Sequence, residues 1–324
     1  MLAEQESLVR IAAVFSGGCA MGLGAVGAAI GEGYTAAQAS AAVAREPDRS
    51  GDIFKNMLVG QAVAESASIF ALVIAILLLF TDATGKSTIY AFAYLGAGLS
   101  MGFGALGSGI GSGLPAGETC WGIAMQPSVS GRLTTNMLVG SAVCQTPAIF
   151  AMVVALLLIF MDFSSVNFQP GWAALLGAGL ATGLSAIGSG IGGGVVAQSS
   201  SEGIARNPQA AGSVTNIMLL GQAIAQTPAI LGLLIGFILL FKGYASTEAW
   251  APAMALLSAG LCMGIGGIGP GIGEGIVAAS GVKWIARNES EIGTITRTML
   301  VGMAVSESTA IYAMVVAVML IFVL

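Results

Sequence analysis

The stretch Gly22-Leu-Gly-Ala-Val-Gly-Ala-Ala-Ile-Gly-Glu32-Gly33 returns near the end of the chain as Gly264-Ile-Gly-Gly-Ile-Gly-Pro-Gly-Ile-Gly-Glu274-Gly275. Each version places one carboxylate in a run of glycines and aliphatic residues. Thirty-three residues after each stands a second acid, again in apolar surroundings, as Glu65-Ser66 and Glu307-Ser308. Inserting a carboxylate into a membrane core costs about 3 kcal/mol or more, so such residues mark ion or proton pathways.

Composition supports the membrane setting. Hydrophobic residues make up 56% of the 324 and charged residues only 8%, where a soluble domain carries about a quarter charged. Apolar runs exceed the roughly 20 residues that a spanning helix needs. The chain has no histidine, which excludes histidine-based catalysis and most transition-metal sites. Cys19, Cys120, Cys144 and Cys262 lack C-x-x-C spacing and read as small packing residues. A net charge of −5 gives no footprint for nucleic acid. The acidic start, Met1-Leu-Ala-Glu-Gln-Glu, lacks the basic region of a signal peptide, so the first apolar run is expected to be structural. Ala83-Thr-Gly-Lys-Ser87 sits in a short linker and not in a strand-to-helix phosphate loop, so no nucleotide or other organic cofactor is expected.

One motif is written four times. Glu65 aligns with Gln145, Gln226 and Glu307, and Glu32 with Ser112, Gly193 and Glu274, at steps of 80, 81 and 81 residues. Each copy has a glycine-striped segment followed by one ending in bulky aliphatics. Glycine disfavours an isolated soluble helix but lets helices approach closely in a membrane, as on the inner wall of a ring. The aliphatic segments suit an outer, lipid-facing wall. The expected fold is an all-α membrane protein of four tandem helical hairpins forming an arc. Its eight helices are expected over 8–42, 53–80, 91–123, 133–161, 172–205, 215–241, 251–286 and 295–324. The hairpin units are 1–84, 85–165, 166–246 and 247–324. Prolines at Pro147 and Pro228 should kink the outer helices of copies two and three or free a carbonyl there.

Arg45, Arg49, Lys55, Arg132, Arg206, Lys283, Arg287 and Arg297 fall in or beside the loops within hairpins; Arg10, Lys86 and Lys242 fall at the terminus and linkers. That bias puts the hairpin loops in the cytoplasm and both termini on the opposite side. Trp121, Trp172, Trp250 and Trp284 lie near expected helix ends, as interface anchors do. Gln61 and Gln222, four residues before site positions, read as helix–helix contacts.

Each repeat resembles the c subunit, or proteolipid, of rotary ATP synthases, nearer the F-type than the V-type. The resemblance rests on the glycine stripe, the carboxylate on the second helix and the loop Ala-Arg-x-Pro. That loop reads Ala44-Arg45-Glu46-Pro47 and Ala205-Arg206-Asn207-Pro208; copies two and four depart from it as Ala124-Met125-Gln126-Pro127 and Ala286-Arg287-Asn288-Glu289. It implies an energy-transducing membrane, bacterial or organellar, and a ring of hairpins turning against a stator a-type subunit that supplies an arginine. Arg45, Pro47, Arg206, Pro208 and Arg287 would meet the central stalk. Further copies of the chain, with or without shorter c subunits, would complete the ring.

The resemblance also implies an oxygen cage at the seam between hairpins. One hairpin gives Glu65 with Glu32, or Glu307 with Glu274. The neighbour gives the hydroxyl after its own site residue and the carbonyl two before it. Candidates are Ser66 and Val63 or Ser308 and Val305, with Thr146 and Val143 or Thr227 and Ile224 from copies two and three; the sequence leaves open which neighbour completes each cage. Thr309 and Tyr312 match auxiliary positions of sodium-binding relatives, where copy one has Ala67 and Phe70. Oxygen ligands without a soft donor suit Na⁺ or H⁺, and the hydroxyls favour Na⁺. With one Na⁺ and two carboxylates, one carboxyl should keep its proton, and the pair should titrate as a unit. Gln145 and Gln226 cannot change charge, so copies two and three read as spacers. A half-populated rotor moves fewer ions per ATP, which favours pumping over synthesis. The competing functions are a self-contained transporter or channel using the same acids and a non-conducting structural ring. Four hairpins in one orientation do not resemble a broken-helix transporter.

Overall fold

The computed structural model describes residues 2–323. Ten α-helices appear, α1 (Leu2–Arg45), α2 (Ser50–Leu79), α3 (Ile89–Met125), α4 (Ser130–Cys144), α5 (Thr146–Phe160), α6 (Phe168–Arg206), α7 (Ala211–Ala225), α8 (Thr227–Phe241), α9 (Trp250–Arg287) and α10 (Ile292–Phe322). They make eight spans long and apolar enough to cross a membrane, and no strand occurs among the described residues. The expected boundaries agree within a few residues at most ends; α1 begins six residues earlier than expected, and the expected end at Leu324 lies outside the described residues.

Two spans are broken, and the prolines explain where. Pro147 and Pro228 have no N–H to continue the ladder and clash with the carbonyl four residues back. The helix stops at Cys144 and Ala225 and restarts at Thr146 and Thr227. Ser108 Oγ and Ser189 Oγ then accept the amide hydrogens of Ala148 and Ala229, both at 3.2 Å. Hairpins 1 and 4 have Ala28 and Pro270 at the serine positions and unbroken α2 and α10.

The hairpin turns share one geometry. Glu46, Gln126, Asn207 and Asn288 are extended, with φ near −140° and ψ near 80°, and a three-residue 3-10 turn follows each. Proline explains the first three, since the preceding residue avoids helical angles and proline fits the first helical position. Copy four has Glu289 instead of proline and adopts the same turn. Contacts to its neighbour hold it there: Asn207 Nδ2 donates to Ala286 O at 2.9 Å, and Ser213 Oγ donates to Glu289 Oε1 at 2.5 Å.

The glycine-rich helices stand in one row, α1, α3, α6, α9, in direct backbone contact. A methyl on Gly111 would lie 2.0 Å from Gly190 O, and one on Gly192 2.0 Å from Gly271 O. The aliphatic helices form a looser second row, each in the groove between its own inner helix and the next. Thus α2 lies between α1 and α3, and α7 with α8 between α6 and α9, whereas α10 rests on α9 and the edge of hairpin 3. A tight inner row under a loose outer one makes an arc. Its ends are open: 17% of the apolar window of α10 is buried, against 72% for α3 and α6.

Apolar clusters fill both ends of the bundle. One is built on Tyr94, Leu158, Phe163 and Leu239, the other on Ile53, Leu133, Ile204 and Met299. Between them runs a buried polar belt that includes Ser112, Gln145, Gln222, Gln226 and Glu274.

Outside the spans, two linkers are knotted by acids. Asp82 Oδ1 accepts from Thr84 N at 2.9 Å and from Thr84 Oγ1 at 2.7 Å. Asp162 accepts from Ser164 N at 2.9 Å and Tyr90 OH at 2.7 Å. The Thr84 amide first, with its hydroxyl, holds the Asp82 carboxyl below the ordinary range. The Ser164 amide first, then the Tyr90 hydroxyl, does the same for Asp162. Burial pushes the Tyr244 phenol up.

Candidate ion-binding seams

The polar belt is assembled the same way in three hairpins. The residue four before the site position ties the outer helix to the backbone of its inner partner. Gln61 Nε2 donates to Glu32 O at 3.3 Å, Ser141 Oγ to Ser112 O at 3.1 Å and Gln222 Nε2 to Gly193 O at 3.0 Å. Gln222 also reaches Gly140 O of the preceding hairpin at 2.9 Å. Gln61 and Gln222 are therefore helix–helix contacts, as their sequence positions imply. Hairpin 4 has buried Met303 there and no such tie.

The glutamines reveal which neighbour faces each site. Gln145 Nε2 donates to Val63 O of hairpin 1 at 3.1 Å and to Ser112 Oγ at 2.6 Å. Gln226 Nε2 donates to Val143 O of hairpin 2 at 2.8 Å. Each site residue therefore looks toward the carbonyl of the preceding hairpin, two residues before that hairpin's own site residue. Glu307 stands at the equivalent position of α10, which packs against the edge of hairpin 3, and Glu65 on α2 is exposed. Val305, the corresponding carbonyl residue of hairpin 4, stands at the open end and is 67% exposed.

The acids differ in setting. Glu32 and Glu65 lie within electrostatic reach of one another, as do Glu274 and Glu307. Glu274 is fully buried, with no hydrogen-bond partner for either carboxyl oxygen. Glu32 is half-buried and Glu65 exposed, at the uncovered edge of the arc beside α1. Pro228 lacks the N–H that would bond the Ile224 carbonyl, so that oxygen is free of its regular helical donor. Ser66 Oγ donates to Val63 O and Ser308 Oγ to Val305 O, both at 2.7 Å, which puts each predicted hydroxyl beside its predicted carbonyl. Thr309 Oγ1 donates to Ser306 O at 3.0 Å, and Tyr312 is 65% exposed on the outer face. Among the described residues no three carboxylate, thiol or imidazole groups converge; each site offers a carboxylate pair.

The loop arginines are engaged within the chain. Arg45 lies over the Trp121 ring at 5.1 Å and Arg287 over Trp284 at 4.8 Å, while Arg206 pairs with Glu202 at 2.9 Å. Pro47 and Pro208 open their 3-10 turns. The inner wall near the loops adds a polar cluster that repeat comparison did not single out: Lys283 pairs with Glu202 at 3.4 Å, and Gln198 Nε2 donates to Tyr34 OH at 2.6 Å. These residues are not repeated between copies, so periodicity carried no signal for them.

The family of ATP synthase C subunits matches residues 15–78, 95–158, 176–239 and 257–320, one match per hairpin. The chain belongs to the ATP synthase C-subunit family. Members are non-catalytic, ion-translocating components of the membrane rotor, and so is this chain. It is 35% identical to the K subunit of the A-type ATP synthase of Methanocaldococcus jannaschii, over 70% of this chain and 94% of that protein. It is 47% identical to the ATP synthase c subunit of Natranaerobius thermophilus, over 24% of this chain and 91% of that protein. Identity to the ATP synthase c subunit of Thermotoga maritima is 52%, over 21% of this chain and 79% of that protein. A single hairpin here thus corresponds to most of a short c subunit.

Proposed function

We propose that this protein forms, with further copies of itself, a rotor in which two of every four hairpin seams carry an ion, with Na⁺ as the preferred cargo and H⁺ the alternative. One observation carries the proposal. The seam between hairpins 3 and 4 is rich in acceptors and poor in donors: two buried Glu274 oxygens without a partner, the Glu307 carboxylate, and an Ile224 carbonyl that loses its regular helical donor to Pro228 and keeps only the Gln226 backbone amide. Oxygens grouped in a low-dielectric belt need a cation or protons between them. Among cations, an all-oxygen set favours hard ones.

In this reading Glu274, Glu307, Thr227 and Ile224 make the site within the chain. Glu32 and Glu65 make the other with Val305 and Ser308 of a preceding copy. Val63, Ser66, Val143 and Thr146 face the glutamines. The units 1–84, 85–165, 166–246 and 247–324 act as successive rotor hairpins. The loops bearing Arg45, Arg206 and Arg287 face the cytoplasm and the central stalk, and both termini face the other side. A stator arginine displaces the ion at Glu307 or Glu65 as each passes. Half occupancy lowers the ions moved per ATP and biases the machine toward pumping; robust ATP synthesis at a modest gradient would refute that bias.

The test is carbodiimide labelling of the purified oligomer, read residue by residue by mass spectrometry. Protection of Glu65 and Glu307 by Na⁺ at fixed pH supports two sodium sites per chain. Labelling that tracks pH and ignores Na⁺ assigns protons as the cargo. Labelling that responds to neither overturns both.

A further inference from the structure

We propose that the side-chain amides of Gln145 and Gln226 take the place of the carried cation in their seams, a proposal that rests on the ion-site reading above. These two seams are then closed and neutral at every rotor angle and pass the stator without exchange.

The amide nitrogens occupy the position that the cargo needs. Each lies within hydrogen-bond distance of the preceding hairpin's carbonyl, Gln145 Nε2 to Val63 O and Gln226 Nε2 to Val143 O. Gln145 Nε2 also reaches its own inner-helix hydroxyl, Ser112 Oγ, which in turn donates to Ser108 O at 2.7 Å. Nitrogen must be the atom there, because an amide oxygen would face two acceptors. An –NH₂ group carries partial positive charge, so it satisfies the carbonyl without bringing net charge into the membrane. A cation entering the same seam would have no carboxylate to neutralise it, and an uncompensated buried charge is strongly disfavoured.

Surrounding residues are matched to this arrangement. Pro147 strips the Val143 carbonyl of its helical N–H, and Gln226 supplies a donor in its stead. At the breaks the Ala148 amide goes to Ser108, and the Ala229 amide is shared between Gln226 O and Ser189; only hairpins 2 and 3 possess these serines. At the break in hairpin 2, glutamine, proline and serine therefore act together: the freed Val143 carbonyl meets the Gln226 amide and the Ala148 N–H meets the Ser108 hydroxyl. Gln145 Oε1 is buried without a donor, whereas Gln226 carries no such orphaned oxygen, so Gln226 is the one to test.

The experiment uses the full-length purified oligomer with Gln226→Leu, Pro147→Ala and the double variant. Gln226→Leu leaves the Val143 carbonyl with only the Gln145 backbone amide and should lower the temperature at which the oligomer dissociates. Pro147→Ala returns a helical donor to that carbonyl, so the same leucine should then lower it much less. An equal loss in both backgrounds overturns the amide–carbonyl role. A second variant, Gln226→Glu, removes the amide donor and adds a carboxylate. The introduced carboxyl should react with carbodiimide and be protected by the same ion that protects Glu307. Protection at Glu307 with none at position 226 overturns this proposal alone. Absence of ion-dependent protection at Glu307 in the unmodified protein overturns the ion-site reading and this proposal with it.

Discussion

Gly33→Ala should leave the chain folded and weaken the oligomer. Gly33 has nothing within 4 Å of the position a methyl would take. Its equivalents in the other inner helices are crowded by the preceding helix. A methyl would lie 2.3 Å from Gly31 O at Gly113, 2.3 Å from Gly111 O at Gly194, and 2.4 Å from Gly192 Cα at Gly275. Those distances fall roughly 1 Å short of ordinary contact, and overpacking of that kind costs about 1–3 kcal/mol. If α9 of a second copy covers α1 as α1 covers α3, the same clash arises at every seam between copies. At about 2 kcal/mol per seam, association falls roughly 30-fold. Native mass spectrometry of the detergent-purified protein measures the oligomer as a function of concentration. Gly113→Ala is the control, since its clash lies inside the chain and should lower folding stability instead. Assembly of Gly33→Ala indistinguishable from the unmodified protein would refute the assignment of this α1 face to the seam.

The seam between copies should also be wider than those within the chain. Ala29 stands where Gly109, Gly190 and Gly271 would each hold a methyl only 2.6–2.7 Å from neighbouring backbone, so Ala29→Gly should raise the dissociation temperature of the oligomer. Pro228→Ala should restore a helical donor to the Ile224 carbonyl and raise the Na⁺ concentration that protects Glu307 from carbodiimide, leaving protection of Glu65 unchanged. Asp162 has a depressed carboxyl in the folded linker, through Ser164 and Tyr90, so its stabilising effect is complete above the unfolded value of about 3.9 and is lost as pH falls through the folded one. Thermal denaturation should therefore show the Asp162→Asn deficit at neutral pH shrinking below about pH 4; a deficit constant with pH would count against it.

Much of this protein was legible without coordinates. Hydropathy and the 80-to-81-residue period of Glu65, Gln145, Gln226 and Glu307 located eight spans, because burial in lipid is a local, compositional requirement. The glycine stripe announced the close inner row, since only glycine permits contacts like that of Gly111 with Gly190 O. Pro147 and Pro228 announced a disturbance in the outer helices, because a missing N–H acts on its own helix. Proline did not determine the hairpin turn: copy four forms the same turn at Asn288 without it, held by contacts from hairpin 3. Tertiary structure alone decided the direction of the seams. Gln226 bonds Val143, and α10 packs on the edge of hairpin 3, because each outer helix lies in the groove toward the next hairpin. That handedness comes from how chiral helices pack across long sequence separations, and a repeat pattern reads the same in either direction around an arc. It leaves Glu274 enclosed and Glu65 at an open edge, although the two glutamate pairs have the same spacing in the sequence.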